Sequence, residues 1–139
     1  MMRIKNLSFL ILLPFLLLMY PKELKISIIP QKSEVRVKAG SEVILSLKVV
    51  APKGKIAKIS GRVRGYPEYI YEFNDDGKYY DKKAKDGIWS SGTSVPDDAP
   101  PGKYYLDCEP FDIDGNSITT KSKTGEEIKF TATFVIIVE

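Results

Sequence analysis

The sequence predicts an all-β sandwich of seven or eight antiparallel strands behind an apolar N-terminal segment, on three observations. From Leu24 onward the apolar residues recur with a period of two rather than 3.6. Turn-forming residues break these runs at intervals of about 8 to 15 residues. After the leader, no stretch keeps a helical apolar stripe over three turns.

The leader, "MMRIKNLSFLILLPFLLLMYPKELK", places Arg3 and Lys5 before an apolar run from Leu7 to Tyr20. A bilayer-spanning helix needs about 20 apolar residues, and this shorter run fits the core of a signal peptide. Bulky residues fill every position where a small-x-small cleavage pattern would stand, which keeps an uncleaved anchor equally in view. Residues 1–21 are therefore assigned to a signal peptide or membrane anchor helix and residues 22–139 to one domain. The basic residues ahead of the run hold the N-terminus in the cytoplasm and send the remainder outside. Hence the expected location is extracytoplasmic, either membrane-anchored or secreted.

Strand by strand, "KISII" (Lys25 to Ile29) and "SEVRV" (Ser33 to Val37) flank Pro30 and read as a short strand pair or one interrupted edge strand. "EVILSLKVV" (Glu42 to Val50) turns Val43, Leu45, Leu47 and Val49 one way and Ile44, Ser46 and Lys48 the other. In "KIAKISGRVRG" (Lys55 to Gly65), Ala57, Ile59 and Val63 oppose Lys58, Arg62 and Arg64. "PEYIYEF" (Pro67 to Phe73) sets Tyr69, Tyr71 and Phe73 against Glu68, Ile70 and Glu72. "GIWSSGTSV" begins a strand at Ile88 and Trp89, and the turn "PDDAPPG" follows it. In "KYYLDCEPFDI", Tyr104, Leu106 and Cys108 share the inner face. Asp114-Gly115 and Thr124-Gly125 mark two further turns. The closing run "EEIKFTATFVIIV" alternates from Ile128 to Val138, and Val135 and Ile137 make both its faces apolar, as in a strand inside a sheet. This many short strands, separated by turns at this spacing, point to an immunoglobulin-like sandwich.

Composition excludes several function classes. Of 21 basic residues two, Arg3 and Lys5, lie within residues 1–21, so residues 22–139 set 19 against 18 acidic ones, a net charge of +1 that offers nucleic acid no electrostatic footprint. There is no histidine, and one cysteine, Cys108, permits neither an intrachain disulfide nor a cysteine metal cluster. Neither a Gly-x-Ser-x-Gly, a Ser-x-x-Lys nor a phosphate loop occurs. No catalytic residue is assigned, and the domain is read as non-enzymatic.

One stretch stands apart: "NDDGKYYDKKAKDGIW", Asn74 to Trp89. Its aspartates Asp75, Asp76, Asp81 and Asp86 can supply oxygens to a calcium ion, which takes six to eight of them. The spacing is not that of an EF-hand, and Lys78, Lys82, Lys83 and Lys85 offset the acidic charge. Read structurally, the Asp-Gly pairs at 76–77 and 86–87 turn the chain out of one strand and into the next. Both readings stand at this level, and calcium is the one cofactor considered.

The order "DDG", Asp81, "AKDGIWS", "VPDDAPPGKYYL", "DIDGN" resembles bacterial and archaeal immunoglobulin-like modules of surface proteins, including those called choice-of-anchor X domains. The resemblance implies a β-sandwich displayed outside the cell as a spacer or adhesion module, with no catalytic residues. Tyr80 and Lys85 stand where such modules usually place glycines before the aspartates. The expected function is binding or structural display at the cell surface, with an envelope protein or glycan as partner and the membrane reached through the N-terminal segment. Tyr66, Tyr79, Tyr80 and Tyr105 are the first contact candidates, because tyrosine gives amphipathic area at low entropic cost. An accessory subunit of an envelope assembly, and a calcium- or carbohydrate-binding module, are the alternatives.

Overall fold

The computed structural model describes residues 25–139. Ten strands follow in chain order: β1 (Ser27–Pro30), β2 (Glu34–Val37), β3 (Glu42–Val50), β4 (Lys58–Val63), β5 (Tyr66–Phe73), β6 (Ile88–Ser94), β7 (Gly102–Phe111), β8 (Thr119–Lys121), β9 (Glu127–Lys129) and β10 (Ala132–Val138). They form a three-stranded sheet, β1-β3-β6, and a five-stranded sheet, β2-β10-β7-β4-β5, with a separate ribbon β8-β9. The leader assigned to residues 1–21 lies outside the described residues. Among those described, no helix is long and apolar enough to cross a membrane.

Alternation places the core where the period of two predicts it. Val43, Leu45 and Leu47 of β3 face Ile59 of β4, Leu106 and Cys108 of β7, and Phe134 and Ile136 of β10 across the two layers. Phe73 and Phe134 stack with their ring planes 7° apart and centroids 6.1 Å apart. Each such fully buried side chain contributes about 1.5–3 kcal/mol of transfer free energy. β10 lies between β2 and β7, and of its apolar run from Phe134 to Val138 the inward residues are buried while Val135 and Ile137 on the other face are half-buried. Cys108 is fully buried and its thiol is pushed up to about 12 by that burial, with the nearby Asp107 charge adding to it.

Four expectations change. The two sheets hold eight strands, as many as expected, but the described residues have ten, because the short β8-β9 ribbon supplements the sandwich. Of the two readings of residues 25–37 the strand pair falls and the interrupted edge strand stands: β1 is the edge of one sheet, against β3, and β2 the edge of the other, against β10. Pro30 cannot donate to a ladder, and the first strand crosses between layers just after it. The sheets are not wholly antiparallel, because β2 and β10 run parallel, with Val35 opposite Ile136. Lastly, the closing run is interrupted at residues 130–131. Ile128 belongs to the β8-β9 ribbon and is 47% exposed, while the sandwich strand starts at Ala132.

Strand order settles the architecture. With β1, β3 and β6 on one layer and β4, β7 and β10 on the other, chain order reproduces the A-B-E and C-F-G division of immunoglobulin-like sandwiches. A second marker agrees. At the corner joining β6 to β7, the Tyr104 hydroxyl donates to the backbone oxygen of Pro100 at 2.7 Å, the tyrosine corner of that architecture.

Candidate cation site in the aspartate loop

Residues 74–87 link β5 to β6 and so cross from one sheet to the other. Their base is pinned by paired backbone bonds between Asn74 and Ser90, each 2.9 Å. Within the loop, Lys85 N–H donates to the Asp75 carbonyl and Asp81 N–H to the Lys78 carbonyl. Gly77 and Gly87 adopt φ of 74° and 81°, the left-handed backbone that both Asp-Gly pairs predict. Tyr79 and Lys85 share that conformation, at 57° and 56°, without glycine's freedom.

This path folds three of the four aspartates onto one point. One carboxylate oxygen each of Asp75, Asp81 and Asp86 lies within 4.8 Å of the others. Asp81 is 4% exposed, and its Oδ2 accepts from Gly77 N–H at 2.7 Å. Asp75 Oδ2 accepts from Gly87 N–H at 3.1 Å, and Asp86 Oδ1 from Ile88 N–H at 2.9 Å. Asp75 Oδ1 is enclosed and has no hydrogen-bond donor. Asp76 stands apart, its Oδ1 accepting from Lys78 N–H at 3.0 Å in a local turn. Among the described residues, none of the loop lysines forms an ion pair with these carboxylates.

Like charges this close are costly. Burial pushes the Asp75 carboxyl above the usual carboxylate range; proximity to Asp86 and Asp81 pushes the same way, against the Gly87 N–H. A buried aspartate is ordinarily paired, and the loop supplies backbone N–H groups but no side-chain cation. The trio is thus relieved by a proton shared between Asp75 and Asp86 or by a cation among all three. An all-oxygen donor set with two or three carboxylates suits a hard cation of calcium's size, the remaining positions going to backbone carbonyls and water. A cleft lined by Asp75, Lys85, Gly87 and Trp89 opens along this wall of the loop.

"DIDGN" forms no such cluster. Asp112 Oδ1 accepts from the N–H groups of Asp114 and Asn116, which accounts for it as a turn. The four tyrosines named above go to different places. Tyr79 is 87% exposed at the loop tip, and the Tyr80 ring packs over Gly92 of β6. Tyr105 lies on the outer face of β7 beneath the Arg64 guanidinium, 4.8 Å from its ring centre. Tyr66 sits 6.1 Å from Tyr104 beside a cavity that also takes in Tyr69 and Tyr71. Strand alternation alone gives those last three to the inner face and hides their convergence.

No family model matches the chain, and no curated protein matches it. Among solved structures it is similar to fibronectin(III)-like modules of CbhA from Clostridium thermocellum, at 13% identity over 83% of this chain and 97% of that one, with a TM-score of 0.46. It is similar to the endo-β-1,4-mannanase of Thermotoga petrophila at 17% identity, 85% of this chain but 20% of the enzyme, and a TM-score of 0.47. A cohesin-dockerin complex from Clostridium thermocellum is matched at 17% identity, 81% of this chain and 99% of that one, with a TM-score of 0.37. It is the chain's own strand order and the Tyr104 corner that make it an all-β sandwich of immunoglobulin-like build.

Proposed function

We propose that this chain is a non-enzymatic binding or structural module carried outside the cytoplasm, and that its aspartate loop takes up a calcium ion that stiffens the crossing between the two sheets. The observation that carries the calcium reading is the convergence of Asp75, Asp81 and Asp86 around an enclosed Asp75 oxygen that no donor reaches. A non-enzymatic role is supported by the chemistry at hand: the sequence has no histidine, and its one thiol is buried and held protonated. The extracytoplasmic reading is supported by Arg3 and Lys5 ahead of an apolar run, and by the surface modules that the loop order resembles. An envelope protein or glycan is the partner class in keeping with that placement.

Thermal melting of the full-length protein in EDTA, in millimolar calcium and in millimolar magnesium tests the loop. Calcium at 100 times its dissociation constant adds about 2.7 kcal/mol, a rise of about 10 °C for a domain this size. Magnesium, which demands a tighter octahedral shell, is expected to give little. An unchanged wild-type midpoint in calcium would overturn the metal reading and leave the aspartates as turn residues. Protease treatment of intact cells tests the location, and complete protection of the domain would count against display.

A further inference from the structure

At the end of the sandwich where β6 crosses to β7, a cavity of about 450 Å³ opens between β5 and the segment Val95 to Pro100. That volume lies in the range of small-ligand sites, about 300–1,000 Å³. Its floor is apolar, from Val63, Ile136 and Val138. Four tyrosines, Tyr66, Tyr69, Tyr71 and Tyr104, form much of the remaining lining, together with the exposed carboxylates of Glu68 and Asp98.

A bulge builds this arrangement. Arg62 pairs with Ile70, yet the next residue, Val63, pairs with Tyr66, so Pro67, Glu68 and Tyr69 have no partner on β4. The insertion shifts the parity of β5. Tyr66, opposite inward Val63, shares a face with Tyr71, opposite Gly61, although a regular strand would set them on opposite faces. It also lets Glu68 and Tyr69, adjacent in sequence, line the same cavity.

The lining selects a class of ligand. The lining carries four tyrosine rings, whose π-faces are negative, and two carboxylates, and no lysine or arginine. Neither Glu68 nor Asp98 forms an ion pair among the described residues. Hydroxyl-rich sugars are neutral and draw on directional donors, whereas here the Tyr104 hydroxyl is committed to Pro100, no side-chain amide is present, and the donors left among the lining side chains are the hydroxyls of Tyr66, Tyr69 and Tyr71. Aromatic faces backed by carboxylates instead favour a bulky, weakly hydrated cation. We propose that this cavity is a binding site for a small quaternary ammonium compound, held by cation-π contact with the tyrosines and by the charge of Glu68 and Asp98.

The site is independent of the aspartate loop, so the test is made in EDTA. Tyrosine ring resonances of the full-length protein are followed during titration with choline chloride, with its neutral isostere 3,3-dimethylbutan-1-ol, and with cellobiose. Saturable shifts with choline are expected, with the isostere at least about tenfold weaker. Asp98→Asn and Glu68→Gln should each weaken choline binding by about threefold, and both together more, without moving the melting midpoint. Tyr69→Leu, at a position 44% exposed, should weaken it further while leaving the fold intact. Equal binding of the neutral isostere, binding of cellobiose alone, or no saturable shift with choline overturns the proposal.

Discussion

Asp107 on the outer face of β7 and Asp75 in the loop after β5 are the same residue in opposite electrostatic settings. Asp107 receives Arg64 through both oxygens, Nε at 2.9 Å and Nη2 at 2.8 Å, and accepts from the Thr133 hydroxyl at 2.7 Å. The guanidinium holds its carboxyl below the usual range, with the Thr133 hydroxyl helping and partial burial opposing. Asp75 has one backbone N–H, two carboxylate neighbours and an enclosed oxygen without a donor, and its carboxyl is raised. Burial opposes the charge in both, so the supply of positive partners decides the sign. One site carries its cation as a side chain, and the other gathers three carboxylates with no side-chain cation paired to them among the described residues.

The largest effect that can break this comparison is Asp81→Asn. In saturating calcium it should lower the melting midpoint by about 10 °C relative to wild type, because the ion's stabilisation goes with its ligand. In EDTA the same variant should melt at or slightly above wild type, since one of three crowded charges is gone. An equal loss in both buffers would mean that Asp81 serves only its bond to Gly77.

The pH response separates the two aspartates further. A raised folded-state value makes Asp75 stabilising when protonated, so without calcium its contribution is fully present below pH 3.8 and is lost as pH rises through the folded value. On the calcium reading the slope reverses, because an ion would bind the ionised trio. Melting curves taken from acid to neutral pH, with and without calcium, should therefore diverge as the pH rises. Asp75→Asn should remove the divergence and raise the EDTA midpoint at neutral pH by about 3 °C. Parallel curves for wild type would show that no calcium joins the trio.

Lys85→Gly sharpens the loop side of the contrast. Relief of a left-handed lysine is worth about 1–2 kcal/mol, and the greater freedom of unfolded glycine offsets roughly half of it. A net gain of about 0.5 kcal/mol is expected, with tighter calcium binding as one positive charge leaves the loop. A calcium titration that Lys85→Gly leaves unchanged would show that this lysine's charge does not reach the site. Smallest of all is Arg64→Gln, at an exposed pair, with a drop of about 1 °C at neutral pH. Asp107 is stabilising above pH 3.8, and that contribution is lost as pH falls through its lowered folded value, so the drop should vanish in strong acid.

Much of the sandwich is legible in the sequence because burial on a strand leaves a period of two. Leu45 and Leu47, or Leu106 and Cys108, can be assigned to the core without any knowledge of their partners. What escapes is whatever depends on a partner. Alternation runs unbroken from Ile128 to Val138, yet the chain leaves the sheet between Lys129 and Ala132 because the β8-β9 ribbon claims the first part. In the loop, Asp75 and Asp76 are adjacent and chemically alike. Only the fold shows that one turns into the trio while the other caps Lys78. The cavity tyrosines are hidden for a related reason: the bulge after Arg62 reverses parity within a strand that reads as regular.

The parallel contact of β2 with β10 has a mechanical meaning. Ser33 and Val37 accept from Val135 and Glu139 at the two ends of this short ladder, at 2.7 Å and 2.9 Å. Tension drawing the start of β2 one way and the end of β10 the other loads these bonds along the strands, so that they must break together rather than peel in turn. In a force-extension experiment, Val35→Pro, which removes one donor between them, should lower the unfolding force much more than it lowers the melting midpoint. A module fastened in this way would hold its shape under tension, as a spacer between a cell and whatever pulls on it must.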